Sequence, residues 1–215
     1  MKIGSYVINV STGGMPQKAA TGFGKVFDGI IGASYTPIAY LGSKLVNGTN
    51  YAFLAEQTLI TGKDIRSIVL IIINQKPGDA DGSTSSIVEI KTLLSNGGPV
   101  GGLNISPTTI IPDDAMKVYN EHFGGFLGAK NKPFALLGTQ VVHGVTYIFG
   151  VESKMVINSN SEKSWLTDNN NTASVLLVKV NSDFSEIETT EVISGVNSEN
   201  SSGLLGVGAP LGEWP

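Results

Sequence analysis

The sequence predicts an α+β protein made of two tandem domains, each a single helix packed on a four-stranded antiparallel sheet. Three observations predict it. The segment Pro37–Glu56 returns at a constant offset as Pro133–Glu152, keeping the pairs Pro37/Pro133, Gly42/Gly138, Gly48/Gly144, Tyr51/Tyr147 and Glu56/Glu152. The correspondence runs upstream without a gap through Pro16/Pro112, Ala19/Ala115, Phe23/Tyr119, Phe27/Phe123 and Gly32/Gly128, which marks an internal duplication. Each copy also places helical apolar spacing ahead of β-branched runs, the order expected of a helix followed by strands.

Taken in order, Tyr6-Val7-Ile8-Asn9-Val10 reads as a short strand or an extended arm, closed by Gly13-Gly14. Pro16 suits a first helical turn, where a missing N–H costs nothing. Ala19, Phe23, Val26, Phe27, Ile30 and Ile31 follow at three- and four-residue spacing and predict one amphipathic helix, weakened by Gly29 and Gly32 and ended by Pro37. Leu41–Val46 and Thr49–Glu56 are two strands joined at Asn47-Gly48, a pair that tolerates positive φ and favours a tight hairpin. Ile65–Asn74 has the β-branched density of a central strand, Gln75–Ser86 is a polar loop, and Ile87–Leu94 returns as an edge strand.

Residues 96–104 read as a Gly-rich linker, after which the pattern restarts. The second copy carries a longer Asn/Ser-rich insertion over Asn158–Thr172, then strands over Ala173–Asn181 and Glu186–Ile193. The predicted organisation is an N-terminal arm over 1–14, a first domain over 15–95, the linker, a second domain over 105–195 and a tail over 196–215.

Composition narrows the function classes. With 41% hydrophobic and 15% charged residues among 215, the chain is suited to a packed core rather than to disorder. A net charge of −4 with 14 scattered Lys and Arg argues against a nucleic-acid partner. Ile68–Ile73 is too short an apolar run to insert in a membrane, and the alternating N-terminus lacks the apolar core of a leader, so a soluble protein, cytoplasmic or virion-associated, is expected. No cysteine and only 2 histidines leave little material for thiol, triad or zinc chemistry. Asp79-Ala80-Asp81-Gly82-Ser83 opens like a calcium loop, but its twelfth position is Ile90 rather than a bidentate Glu, so it reads as a turn. Glu56 and Glu152 read as solvated strand ends, and His122 and His143 as a helix-surface and a turn residue. No catalytic residue, cofactor or metal ligand is assigned.

At the hairpins, Gln140-Val141-Val142-His143-Gly144 resembles the Gln-Val-Val-x-Gly signature of the cystatins, closest to the cysteine-free stefin branch, with Tyr147 three residues on. Lys44-Leu45-Val46-Asn47-Gly48 is a looser version of the same segment, and the glycines Gly13-Gly14 and Gly101-Gly102 precede the helices as that family's N-terminal trunk does. The resemblance implies two tandem cystatin-like domains. It also implies a wedge against papain-like cysteine peptidases, formed in the second copy by Gly102, Leu103 and Gln140–Gly144. In the first copy the corresponding parts are Lys44, Val46, Asn47 and Gly48, with Pro77 and Gly78 standing where the family has its second hairpin loop. Neither copy carries all three parts of a wedge.

Two functions are therefore expected. The first is a non-enzymatic protein-binding or structural component, an accessory or decoration protein of a larger assembly such as a virion. Its terminal arms would be ordered by neighbouring subunits through Val7–Val10, Leu204–Val207 and Trp214. The second is a cysteine-peptidase inhibitor acting through the wedge. Either gives the chain protein partners, with a homo- or hetero-oligomer possible.

Overall fold

In the computed structural model, residues 4–60, 64–96, 102–123, 128–141, 144–155, 172–183, 187–198 and 211–212 are described. The first copy contributes β1 (Tyr6–Ser11), the two-residue β2 (Met15–Pro16), α1 (Gln17–Phe27), β3 (Ala33–Val46), β4 (Gly48–Ile60), β5 (Asp64–Gln75) and β6 (Ser86–Ser95). The second contributes β7 (Leu103–Thr108), α2 (Asp113–Phe123), β8 (Ala129–Val141), β9 (Val145–Met155), β10 (Thr172–Asn181) and β11 (Ile187–Asn197). The tail adds β12 (Leu211–Gly212), which pairs antiparallel with β2.

The main strands do not form two separate four-stranded sheets. They make one ten-stranded mixed sheet in the order β6-β5-β4-β3-β1-β11-β10-β9-β8-β7. This overturns both the expected fold class and the cystatin-like assignment. Each copy supplies five strands, because residues expected in an arm and at the edge of a linker become β1 and β7. The two copies are also fused by a parallel seam, in which Tyr6, Val7 and Ile8 of β1 pair with Gly195, Val196 and Asn197 of β11. The physical reason is the strand edge: β1 and β11 both carry unpaired backbone groups on their outer sides, and joining them satisfies both.

The duplication is visible in the ladders. The β3–β4 pairing shifts register between Pro37 and Ala39 and again between Tyr40 and Gly42, and the β8–β9 pairing shifts between Pro133 and Ala135 and between Leu136 and Gly138. A proline without an N–H helps to place the first irregularity in each copy. The glycine at the second serves close approach: a Cβ on Gly42 would lie 2.2 Å from Val7 O, and one on Gly138 would lie 2.5 Å from Asn104 O.

Alternation along the strands builds three cores. Phe53 and Ala55 of β4, with Val69, Ile71 and Ile73 of β5, pack under Met15, Ala19 and Phe23 beside α1. Phe149 and Val151, with Val178 and Val180, pack under Ala115 and Tyr119 of α2. The intervening residues, among them Leu54, Leu70, Leu137, Ile148, Val175 and Leu177, form one cluster drawn from both copies and from neither helix. The sheet therefore folds over itself, its two halves face to face and a helix on each outer surface. Chain length requires the same curvature. A flat ten-stranded sheet would set its edges about 43 Å apart at ~4.8 Å per strand, whereas the chain from Asn96 to Gly102 reaches at most ~23 Å. β7 accordingly contacts β5 across the fold.

α1 is shorter than its spacing predicts. It ends at Phe27, and Gly29 and Gly32 take positive φ (74° and 91°), leaving Ile30 and Ile31 exposed beyond it. In α2, Asp113 and Asp114 occupy the first turn, where negative charge suits the exposed N–H groups.

Candidate functional site

The β3–β4 tip is closed by Gly48, at φ +103°, and a Cβ there would lie 2.2 Å from Gln75 O. That close approach locks the tip against the start of the β5–β6 loop, so Lys44, Val46, Asn47 and Gly48 share one end of the sheet with Pro77 and Gly78. Below the tip, Asn74 Nδ2 donates to Asn50 Oδ1 at 2.7 Å, and the Lys44 ammonium stands 5.7 Å from the centre of the Tyr6 ring.

The second tip repeats the device with different residues. Gly144 has φ +103°, and a Cβ on it would meet Ser182 Oγ at 2.9 Å. Ser182 N donates to Val145 O at 2.8 Å, Val145 N donates to Ser182 Oγ at 3.0 Å, and Asn181 Nδ2 donates to Thr146 Oγ1 at 3.2 Å. Leu103 pairs with Gln140, and a Cβ on Gly102 would lie 3.6 Å from Val141 O. Gly102, Leu103, Gln140, Val141 and Gly144 are thus brought together. Val142, His143 and Trp214 lie outside the described residues, as do Leu204–Val207, most of the 158–172 insertion, and Phe184 and Ser185.

The two tips do not merge into one surface. Tyr6, level with the first tip, pairs with Gly195 near the end of β11, whereas the second tip adjoins the turn that leads into the start of β11. The glycine trunk also changes identity. Gly13-Gly14 follows β1, so the counterpart of Gly101-Gly102 is Gly4-Ser5, just before β1; Gly4 has φ +99°.

What the strand ends beside the tips offer is apolar surface. Leu45 is 65% exposed, Val46 41% and Val141 73%. Leu45 was not singled out from the sequence, although strand alternation beside Asn47-Gly48 would have placed it outward.

The carboxylates are used structurally. Glu56 lies 3.5 Å from Arg66 and Glu152 lies 3.5 Å from Lys154. Glu152 is buried rather than a solvated strand end. Asp79 Oδ2 accepts from Thr84 Oγ1 at 2.6 Å and from Thr84 N at 3.0 Å, closing the β5–β6 loop; the Thr84 hydroxyl leads in holding this carboxyl down at about 2. Among the described residues no cluster of His, Asp and Glu could hold a metal ion. Two shallow depressions of about 430 and 240 Å³ follow the flank of α1, away from either tip. Among the described residues no helix is long and apolar enough to cross a membrane.

Compared with models of protein families, with curated proteins and with solved structures, the chain shows no match. The resemblance at Gln140–Gly144 thus has no support from the comparisons, as it has none from the fold.

Proposed function

We propose that this chain is a non-enzymatic protein-binding component of a larger assembly, a rigid platform that presents hairpin tips to neighbouring subunits. The observation that carries this reading is the exposure of Leu45, Val46 and Val141 on strand ends whose backbone is held in place at Gly48 and Gly144. An apolar anchor on a backbone held in place loses little conformational freedom on docking, so more of its burial appears as affinity. An accessory or decoration position in a particle such as a virion suits a chain of this kind. β1, expected as an arm, is occupied within its own sheet over Tyr6–Ile8, so its ladder groups there are not offered to neighbours. The peptidase-inhibitor alternative drew on the resemblance that the ten-stranded sheet overturns, and no contact among the described residues favours it.

The test is site-specific photocrosslinking in the native source, with a photoreactive residue at position 45, 141 or, as a control, 31. The reading expects one defined partner to be captured from 45 or 141 and not from 31, and capture to be lost in Leu45→Asp or Val141→Asp variants whose melting is unchanged. A silent pair of tips, or equal capture from all three positions, would overturn it.

A further inference from the structure

β6 forms one edge of the ten-stranded sheet. β6 is ten residues long and outermost, and among the described residues nothing pairs with its outer side. Its counterpart β11 takes β1 as a neighbour, and the opposite edge strand β7 is only six residues long and contains Pro107. β6 contains no proline, and Ile87 and Val88 are 42% and 54% exposed. A long open edge with exposed β-branched residues pairs with another strand unless something prevents it.

The charges on β6 select which strand. Register with β5 places Glu89 opposite Ile72, Ile90 opposite Ile71 and Lys91 opposite Leu70, between irregularities at Val88 and Leu93. Glu89 and Lys91 therefore point to one face and Ile90 to the other. A parallel second β6 would have to present the same outer side, because β5 occupies the inner one. That turns its faces over, so Glu89 and Lys91 of the two copies lie on opposite faces and form no charge pair across the ladder. An antiparallel copy centred on Ile90 instead sets each Glu89 against the other copy's Lys91, Ile90 against Ile90, and Val88 against Thr92. Opposite charges directly across a ladder stabilise it and like charges oppose it.

We propose that the occupant of this edge is a second copy of the same chain, in a two-fold dimer joined by antiparallel β6–β6 pairing about Ile90. Such an isologous contact uses the same patch on both partners and leaves no β6 edge open, so association stops at two copies. The charge pattern favours this antiparallel partner over a parallel one, which gains no cross-strand charge pair.

The test is sedimentation velocity of the purified full chain from about 1 to 200 µM. The expected result is a concentration-dependent dimer. Lys91→Glu or Glu89→Lys alone turns both cross-strand charge pairs repulsive and weakens it by about tenfold or more. The double variant Glu89→Lys/Lys91→Glu restores it. Because the chain has no cysteine, Ile90→Cys supplies a lone thiol on the axis, and mild oxidation should give a covalent dimer where Ile31→Cys does not. Unchanged melting of the charge variants, whose residues are exposed, keeps association apart from folding. A chain monomeric throughout the range would overturn the proposal and show Glu89 and Lys91 to be guards against pairing. A dimer indifferent to charge reversal but abolished by Leu45→Asp would overturn it as well, placing the contact at the tips.

Discussion

Gly195 tests whether the β1–β11 seam holds the two halves together. A Cβ there would lie 2.1 Å from Tyr6 O and 2.8 Å from Tyr6 C, both backbone atoms, so no side chain can swing aside. Gly195→Ala therefore requires the two strands to separate by about 1 Å, given that carbon and oxygen approach no closer than ~3.3 Å even in favourable C–H···O contacts. Overpacking of this kind costs about 1–3 kcal/mol. Loss of two seam hydrogen bonds adds about 1–3 kcal/mol, so destabilisation of about 2–5 kcal/mol is expected. With a urea slope near 3 kcal/mol/M for a chain of this size, the midpoint should fall by roughly 1 M. Hydrogen exchange should accelerate at residues 6–8 and 195–197 before it does in β4 or β9. The control is Gly24→Ala on the exposed face of α1, where a Cβ meets nothing within 4 Å and helix propensity predicts a gain of about 0.5–1 kcal/mol. If Gly195→Ala matches the parent in midpoint and exchange, the seam is not what joins the halves and the packing argument fails.

Other consequences follow from the same structure. Phe53 and Phe149 occupy equivalent positions under α1 and α2 and are fully buried, so Phe53→Ala and Phe149→Ala should each cost about 3–5 kcal/mol by denaturant titration. Asp79 titrates at about 2 against an ordinary 3.8 because Thr84 donates to its carboxylate. A depressed folded pKa means that its contribution to stability is present above pH ~4 and is lost as pH falls through about 2. Thr84→Val should move the Asp79 carboxyl resonance midpoint back toward 3.8, and a midpoint that stays near 2 would contradict the assignment. Tyr40 is buried, and desolvation raises its phenol from 10.0 to about 12, with the Ser43 hydrogen bond opposing. A raised folded pKa leaves its contribution intact below pH ~10 and removes it as pH rises through about 12. Burial raises Tyr119 to about 12 as well, so Tyr40→Phe should shrink the highest-pH step of the native absorbance titration at 295 nm by one of two tyrosines while leaving the titration in denaturant simply one tyrosine smaller.

Much of the local structure was legible. The β-branched run at 65–74 is β5, the polar 75–86 stretch is the β5–β6 loop, and Asn47-Gly48 is the first hairpin turn. These depend on side-chain alternation and on the φ preference of a few residues, properties each segment carries within itself. The fold of the whole was not legible. Tyr6–Ser11 reads equally as an arm or a strand, because a six-residue stretch gives no sign of which edge it will join. Leu103–Thr108 hides beside a run of glycines. The candidate site was readable only in part: Gly48 and Gly144 mark the tips, but nothing local shows that Gln75 and Ser182 back them, or that the seam sets the two tips at different levels.

The sequence by itself determined the duplication, the helix and hairpin positions, the absence of cysteine and the residues standing at each turn. Those are matters of neighbouring residues and short-range sterics. Only the tertiary structure decided that two five-stranded units share one folded sheet, and that β6 keeps an open edge. The pairing of β1 with β11 joins residues nearly a whole chain apart, and such a contact is chosen by which unpaired edges remain once every other strand has found its neighbour.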